Sequence, residues 1–538
     1  MPTLDWIGKK AVEKHHEEVP FHLLKCDNSL SVGDPGSGNL IVQGDNLLAL
    51  KALLPYYAGK VKCIYIDPPY NTGNENWVYN DNVNSPEIRE WLGKVVGSEA
   101  EDLSRHDKWL CMMLPRLALL RRFLREDGLI FISLDDNEAV HLKAIMDMDV
   151  AFGRRTFVQQ IVWKNKYGPG AMTRGFGNIH EYVFCYSKTP LDSIEASLSG
   201  EEEAKYKLRD DKFDVRGGYI TQPLATRSKD DRPNLVYPVR YNGEDIWPDK
   251  QWIWAKERME EAVAKNEVVF RKSGGKWSVR FKQYLRDENG QLRMAKPISI
   301  MSGPFNQEGT AEIEEIFGSK VFSNPKPTAL VRYLAAMIVN GSHEKDYIVM
   351  DSFAGSGTTA HAVLQLNKED GGNRKFILVE MEEKICREIT AERVKRVAQG
   401  YTNSKGKFVE GLGGGFRYCT LGDTLFDADG QIRKSVSFSD LARHIFLTET
   451  GEPLPKQNNG RTPLLGVVNG TAYYLLYNGI LSDKRANGGN VLTRAVLADL
   501  PSHDGPRVIF GTGCRIGDAR LKREQITFKQ VPYQIKVR

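Results

Sequence analysis

No stretch of this sequence approaches the roughly 20 consecutive apolar residues that a membrane-crossing helix needs, and no leader-like apolar core opens it. A soluble, cytoplasmic protein without a membrane partner is therefore expected. Cysteine is scarce: seven residues, an odd number, with no C-x-x-C pair. That argues against both a disulfide framework and a zinc ribbon, and it suits reduced, mostly buried thiols. His15, His16, His22 and Cys26 lie near one another but lack convincing ligand spacing, so no metal is expected. No G-x-x-x-x-G-K-[ST] loop, full G-x-G-x-x-G, internal repeat or long low-complexity tract is present. Charge is nearly balanced, with 74 Lys and Arg against 69 Asp and Glu. The resulting +5 tolerates a polyanionic partner without identifying one.

With 538 residues, two or three domains are expected. The most informative stretch is Ile64-Tyr65-Ile66-Asp67-Pro68-Pro69-Tyr70-Asn71. Val61 to Ile66 is too short for a helix and almost wholly apolar, as a strand buried on both faces of a parallel sheet should be. Proline has no N–H for the ladder, so the strand stops at Asp67. The Asp67 carboxylate, the Pro68 carbonyl and the Tyr70 ring then stand at the carboxyl end of a strand, where open α/β sheets bind ligands. Two acceptors beside an aromatic ring suit a planar amine such as adenine N6, which Tyr70 can stack upon. An ordinary proline turn fits this stretch equally well when it is taken alone.

Around it, strand and helix alternate. Asn39 to Val42 reads as a strand and Leu47 to Leu54 as a helix capped by Asp45 or Asn46. Asn71 to Arg105 reads as a long mobile segment over the site. A helix from Asp107 carries Leu110, Met113, Leu114, Leu117, Leu120 and Leu124 on one face, is kinked by Pro115 and is ended by Gly128. Leu129 to Leu134 is a further buried strand, and Phe157 to Trp163 pairs with Glu181 to Ser187. The rhythm resumes at Tyr347 to Met350, followed by Asp351-Ser352-Phe353-Ala354-Gly355-Ser356-Gly357-Thr358, a helix from Thr359, and a strand from Phe376 ending on Glu380. Such alternation specifies a doubly wound parallel sheet. Gly355-Ser356-Gly357 lets the backbone approach a ligand at a helix start, and Glu380 stands where a carboxylate reaches ribose hydroxyls. Without a pyrophosphate loop, S-adenosylmethionine fits better than NAD, with Asp351 facing the ligand's ammonium.

The two motifs in this order, Asp67-Pro68-Pro69-Tyr70-Asn71-Thr72-Gly73 and then Phe353-Ala354-Gly355-Ser356-Gly357-Thr358, resemble the β-class amino-DNA methyltransferases, above all the modification (Mod) subunits of type III restriction systems. The resemblance covers roughly residues 1–420. It implies a Rossmann-like seven-stranded sheet with circularly permuted motif order, an inserted target-recognition region, and a small mixed C-terminal domain. It also implies methyl transfer from S-adenosyl-L-methionine to N6 of a flipped-out adenine in double-stranded DNA, by a homodimer of bacterial or phage origin associated with the nucleoid, with a restriction subunit as a further partner. Asp67, Pro68, Pro69 and Tyr70 match the catalytic motif. Asp351, Phe353, Ala354, Gly355, Ser356, Gly357, Thr358 and Glu380 match the cofactor site, and Asp45 matches the carboxylate that contacts the cofactor's adenine ring. Asn324-Pro325-Lys326-Pro327 resembles the motif before the cofactor strand, and His180-Glu181-Tyr182 the end of the catalytic half. An acid at position 67 favours adenine over cytosine.

The expected divisions are 1–189 and 321–410 for the two halves of the methyltransferase domain, 190–320 for target recognition, and 411–538 for dimerisation or partner contact. Within 271–286, bases and aromatics recur with no acid among them. Lys164, Lys166, Arg174, Arg227, Arg271, Lys272, Arg280 and Lys282 are the candidate DNA contacts. A solvated basic face is the competing reading of that run. For the whole chain the alternatives are an RNA or protein-amide methyltransferase, or a DNA-specificity subunit silent without its partner.

Overall fold

A computed structural model describes residues 4–6, 8–72, 101–148, 152, 154–169, 175–198, 200–227, 230–455, 462–478, 480–481 and 489–532. Most of the segment expected to lie over the site, Asn71 to Arg105, falls outside these residues, as does Arg174. The chain divides into two compact units, Met1–Ser193 with Ile298–Arg538, and Ile194–Pro297.

The first unit is built on a ten-stranded sheet. Its strands in chain order are β1 (His22–Val32), β2 (Leu40–Gln43), β3 (Val61–Ile66), β4 (Leu124–Leu134), β5 (Phe157–Lys164), β6 (His180–Ser187), β7 (Ile300–Ser302), β8 (Ile348–Asp351), β9 (Lys375–Glu380) and β10 (Phe416–Thr424). Their order across the sheet is β1-β10-β2-β9-β8-β3-β4-β6-β5-β7. The run from β10 to β4 is parallel, β6 is antiparallel to both β4 and β5, and β1 is antiparallel to β10. Every residue of β3 is buried, as a mostly apolar strand in the middle of a sheet requires, and Lys62 within it is paired with Glu344 at 3.3 Å. The expected doubly wound sheet is present, extended to ten strands. Helix α1 (Asn46–Tyr57) follows β2, α2 (Glu101–Phe123) precedes β4, α3 (Thr358–Asp370) follows β8, and α4 (Ala391–Gln399) follows β9.

Some boundaries differ from expectation. Helix α2 passes directly into β4 at Leu124, so Gly128 lies inside a strand and ends no helix. The register opposite β3 slips there from Val61–Leu124 to Cys63–Leu129, and this irregularity absorbs the polar residues Arg125 to Asp127 that obscured the strand. Residues 411–538 are not a separate body from their start: β10 lies between β1 and β2 in the central sheet. Residues 298–320, expected with the target-recognition region, belong to the first unit. Only beyond Thr424 does the chain leave that sheet, and a four-stranded sheet follows (Leu464–Val468, Thr471–Leu475, Arg507–Gly511, Ile526–Gln530).

Cys26 and Cys419 are joined in a disulfide, contrary to the reduced thiols expected throughout. They are direct partners across antiparallel β1 and β10, a closeness that 393 residues of separation conceal. With its sulfur in that bond, Cys26 is no ligand for the neighbouring histidines. Among the described residues, the group with metal-ligand character is instead His106, Glu138 and His141.

The second unit carries a three-stranded antiparallel sheet, Tyr219–Pro223, Lys276–Tyr284 and Val268–Ser273. Its inner face buries Val268 and Val279 with Leu224, Trp252 and Met259.

Candidate active site

The carboxyl ends of β3, β8 and β9 open onto one cavity of about 660 Å³. Asp67, Pro68, Pro69, Tyr70, Asp351, Phe353, Ala354, Gly355, Thr358 and Glu380 all line it. The two motifs, 284 residues apart when counted from Asp67 to Asp351, meet because β3 and β8 are parallel neighbours, with Ile64 opposite Met350. Strands running the same way deliver their ends to the same edge, which is where a doubly wound sheet places its ligand.

The catalytic turn is held from outside. Trp109 Nε1, from α2, donates to the Pro69 carbonyl at 2.8 Å. Asn71 is fully buried with φ of +59°, and its side-chain amide donates to Glu138 and to the Arg105 carbonyl. Glu138, itself fully buried, also meets His106 Nδ1 at 2.7 Å and His141 Nδ1 at 2.8 Å. Hydrogen bonding to that carboxylate raises the His141 pKa. Sequence reasoning missed this brace because its members lie on separate elements.

Two further residues complete the turn's surroundings. Lys326 Nζ lies 2.8 Å from each Asp67 carboxylate oxygen. It also sits 4.8 Å from the centre of the Tyr70 ring and 3.8 Å from Glu181 Oε2. Glu181 accepts the Tyr70 hydroxyl at 3.0 Å and the Asn165 amide at 2.6 Å. Burial pulls the Lys326 ammonium toward the neutral form, but the Asp67 and Glu181 carboxylates outweigh it and raise its pKa. Burial pushes the Tyr70 hydroxyl up, and Asp67 and Glu181 add to the shift. Both Lys326 and Glu181 sit in the segments that resembled family motifs, but nothing in the sequence joined them to Asp67.

In the other half of the cavity, Gly355 has φ of +49°, and a Cβ there would lie 3.2 Å from the Phe322 ring. Glycine therefore suits both the backbone and the space. The Gly355 N–H donates to Glu380 Oε2 at 2.8 Å, and the Glu382 N–H to Glu380 Oε1 at 3.0 Å. Asp351 is buried. Its carboxylate accepts the Thr359 hydroxyl at 2.6 Å and the Phe353 N–H at 3.0 Å. Burial nevertheless pushes its pKa to about 7, and it raises that of Glu380 as well.

Three of the expected cofactor residues do not line the cavity. Asp45 caps α1, accepting the Leu48 N–H at 3.0 Å, and its other oxygen lies 3.4 Å from the Arg116 guanidinium. The Ser356 hydroxyl accepts from Arg393 at 3.0 Å and belongs to the structure behind the turn. Gly357 supplies the left-handed residue that begins α3.

The basic candidates separate in the same way. Lys166 lines the cavity, and Lys164 ends β5. Arg227 pairs with Asp249, Lys272 with Glu244 at 2.8 Å, and Lys282 with Asp210 at 2.6 Å. Those three cations have acidic partners, and two of them, Lys272 and Lys282, sit in the run that looked acid-free, paired with acids from elsewhere in the chain. Arg280 donates to Thr221, and by strand alternation it shares one face of its sheet with Arg271.

The sequence model of a DNA methylase family matches residues 61–392. The Mod subunit of the type III restriction-modification enzyme StyLTI from Salmonella typhimurium is 33% identical over 73% of this chain and 62% of its own length. The EcoPI Mod subunit of Escherichia phage P1 is 32% identical over 75% of this chain and 69% of that one. The type II methyltransferase M.KpnI of Klebsiella pneumoniae is 33% identical over 71% of this chain and 93% of that one. The chain thus spans less than two thirds of the StyLTI subunit and nearly all of M.KpnI.

Proposed function

Because the chain belongs to the DNA methylase family, we propose that it transfers a methyl group from S-adenosylmethionine to N6 of an adenine turned out of duplex DNA. The observation that carries this reading is the single cavity lined by both Asp67–Tyr70 and Asp351–Glu380. Its volume falls in the range of roughly 300–1,000 Å³ usual for small-molecule sites. The donor set fits the cofactor: Glu380 has a carboxylate for ribose hydroxyls, and Asp351 one for an ammonium. The Gly355 turn leaves room for close backbone approach. Bound there, S-adenosylmethionine supplies a methyl group activated by its sulfonium.

The chain's own groups act on the amine. Asp67 and the Pro68 carbonyl accept its two N–H groups, drawing the nitrogen lone pair out of conjugation with the base. Tyr70 provides the stacking surface, and its hydroxyl is anchored on Glu181. Fixed positioning of this kind supplies much of the rate enhancement in a two-reactant step. The Asp67 carboxylate would stabilise the positive charge that builds on the nitrogen as the N–CH3 bond forms and the S–CH3 bond breaks, with S-adenosylhomocysteine as the leaving group, and the surplus N–H proton would leave along its hydrogen bond to Asp67. We read Lys166, Arg271 and Arg280 as the cations toward DNA phosphates, a second copy of the chain as its dimer partner, and a restriction subunit as its companion, as the Mod names of two relatives suggest. The insert Ile194–Pro297 is read as the target-recognition region and the residues beyond Thr424 as the dimerisation or partner segment.

The test is incubation of the purified protein with methyl-labelled cofactor and separate DNA, RNA and protein substrates, followed by sequencing of methylated adenines. Label appearing in N6-methyladenine at one recurrent sequence is the expected result. Label in RNA or protein alone would overturn the reading.

A further inference from the structure

A residue of the chain itself sits where the target amine is to be bound. The Lys326 ammonium donates to Asp67 Oδ2 at 2.8 Å, lies as near to Oδ1, and stands 4.8 Å from the centre of the Tyr70 ring. A nucleobase would present the same features, an N–H donor to Asp67 and a body over Tyr70. The two cannot take the same place between Oδ2 and the ring at once.

A second acceptor lies close by. Glu181 Oε2 is 3.8 Å from Lys326 Nζ, beyond hydrogen-bonding distance and within reach of a small side-chain rotation. The groups facing the ammonium are Asp67 at the end of β3, Tyr70 in the turn, Glu181 on β6, and Asp135 beyond β4 as a weaker influence. The Lys326 side chain is only 10% exposed, so this cation exchanges partners within the pocket and does not swing out to solvent. Its backbone is fixed too: the Lys326 carbonyl accepts the Thr358 hydroxyl at 3.1 Å, tying it to the start of α3.

We propose that Lys326 is a positioning residue that occupies the amine site until a target base enters and then passes to Glu181. The inference rests on the function proposed above. Charge explains why a transfer is needed. Methylation builds positive charge on the amine nitrogen, and an ammonium sharing its carboxylate would oppose that charge. After product leaves, Lys326 returns to Asp67 and restores the pocket. Glu181 thus has two tasks, anchoring the Tyr70 hydroxyl and receiving the displaced cation.

The experiment is steady-state methylation of DNA by the native protein, Lys326→Met, Lys326→Arg and Glu181→Gln, with kcat and KM resolved and cofactor affinity measured by calorimetry. Lys326→Met leaves no side chain competing with the base, so the KM for DNA falls at least about threefold, and Lys326→Arg restores the native value. Glu181→Gln lowers kcat at least tenfold with little change in KM, while cofactor affinity stays within twofold. An unchanged or raised KM in Lys326→Met overturns the proposal, and so does a fully active Glu181→Gln. The pairing is judged separately by melting temperatures of Lys326→Met, Asp67→Asn and the double variant, where coupled losses are expected and simple additivity overturns it. If native protein methylates nothing, the proposed function fails, while the melting cycle still decides whether Lys326 and Asp67 act as a pair.

Discussion

The Gly355 N–H donates to the Glu380 carboxylate at 2.8 Å, so the glycine turn after β8 and the end of β9 are locked together at the floor of the cavity. Replacing Glu380 with Gln keeps the shape but removes the charge that strengthens its contacts to backbone amides and to ribose hydroxyls. A charged hydrogen bond is worth about 1.5–3 kcal/mol, which corresponds to roughly tenfold to a hundredfold weaker cofactor binding. Calorimetry with S-adenosylmethionine measures it, and unchanged affinity would remove Glu380 from the site.

Asp351 gives the cofactor site a pH dependence. Its carboxyl titrates at about 7 in the empty protein because burial outweighs the Thr359 and Phe353 hydrogen bonds. An arriving ammonium favours the ionised form, so binding displaces a proton below that pH. Affinity is expected to fall by up to about tenfold per unit as pH drops below 7, and to level off above it. The sign for stability is opposite: the folded pKa lies above the unfolded one, so the empty protein loses stability as pH rises from the ordinary carboxyl range to about 7. Asp351→Asn should flatten both curves, the first read by calorimetry and the second by thermal melting.

Asp67→Ala is expected to abolish methyl transfer, with cofactor affinity nearly unchanged, since Asp67 faces the base half of the cavity. A methylation assay run beside calorimetry decides this. Equal loss of both would mean that the residue shapes the whole pocket.

The turn's outer support makes a different prediction. Trp109→Phe deletes the donor to the Pro69 carbonyl and leaves that oxygen unsatisfied, at a cost of about 1–3 kcal/mol of stability. A turn free to shift should lower kcat more than it changes the KM for DNA. Denaturant unfolding and steady-state kinetics give the two readouts.

Charge reversal of Arg271 together with Arg280 tests the exposed face of the second unit. Loss of two phosphate contacts should flatten the dependence of log affinity on log salt by about 2. Reversal of Lys272, already paired with Glu244, should change it less. Equal slopes in all variants would return the face to ordinary solvated surface.

Much of the site was legible because its signals are local. A six-residue apolar run ending in Asp67-Pro68-Pro69-Tyr70 has few foldings open to it, and a glycine turn followed by a strand ending in an acid has few more. What stayed hidden depends on contacts across the sheet. Lys326 gives no sign in its own neighbourhood that it reaches Asp67, 259 residues away. The Cys26–Cys419 pair likewise depends on β10 returning to lie between β1 and β2. Asp45 carried two readings: the local pattern made it a helix cap, as it is, whereas the family resemblance gave it a ligand contact, and its carboxylate lies outside the cavity. The basic run near position 280 misled for a related reason, because its acids come from residues 210 and 244.

The adjacency of β3 and β8 has a consequence for synthesis. A chain emerging amino end first completes the base-holding strand almost three hundred residues before its neighbour exists. Until then one edge of a largely apolar strand lacks its partner, a state prone to misassociation. Closing so long a loop also makes this pairing among the slower events of folding. On the function proposed above, a prematurely terminated product would carry the grip for the nucleobase and nothing to hold a methyl donor against it, so half-made protein would transfer no methyl group.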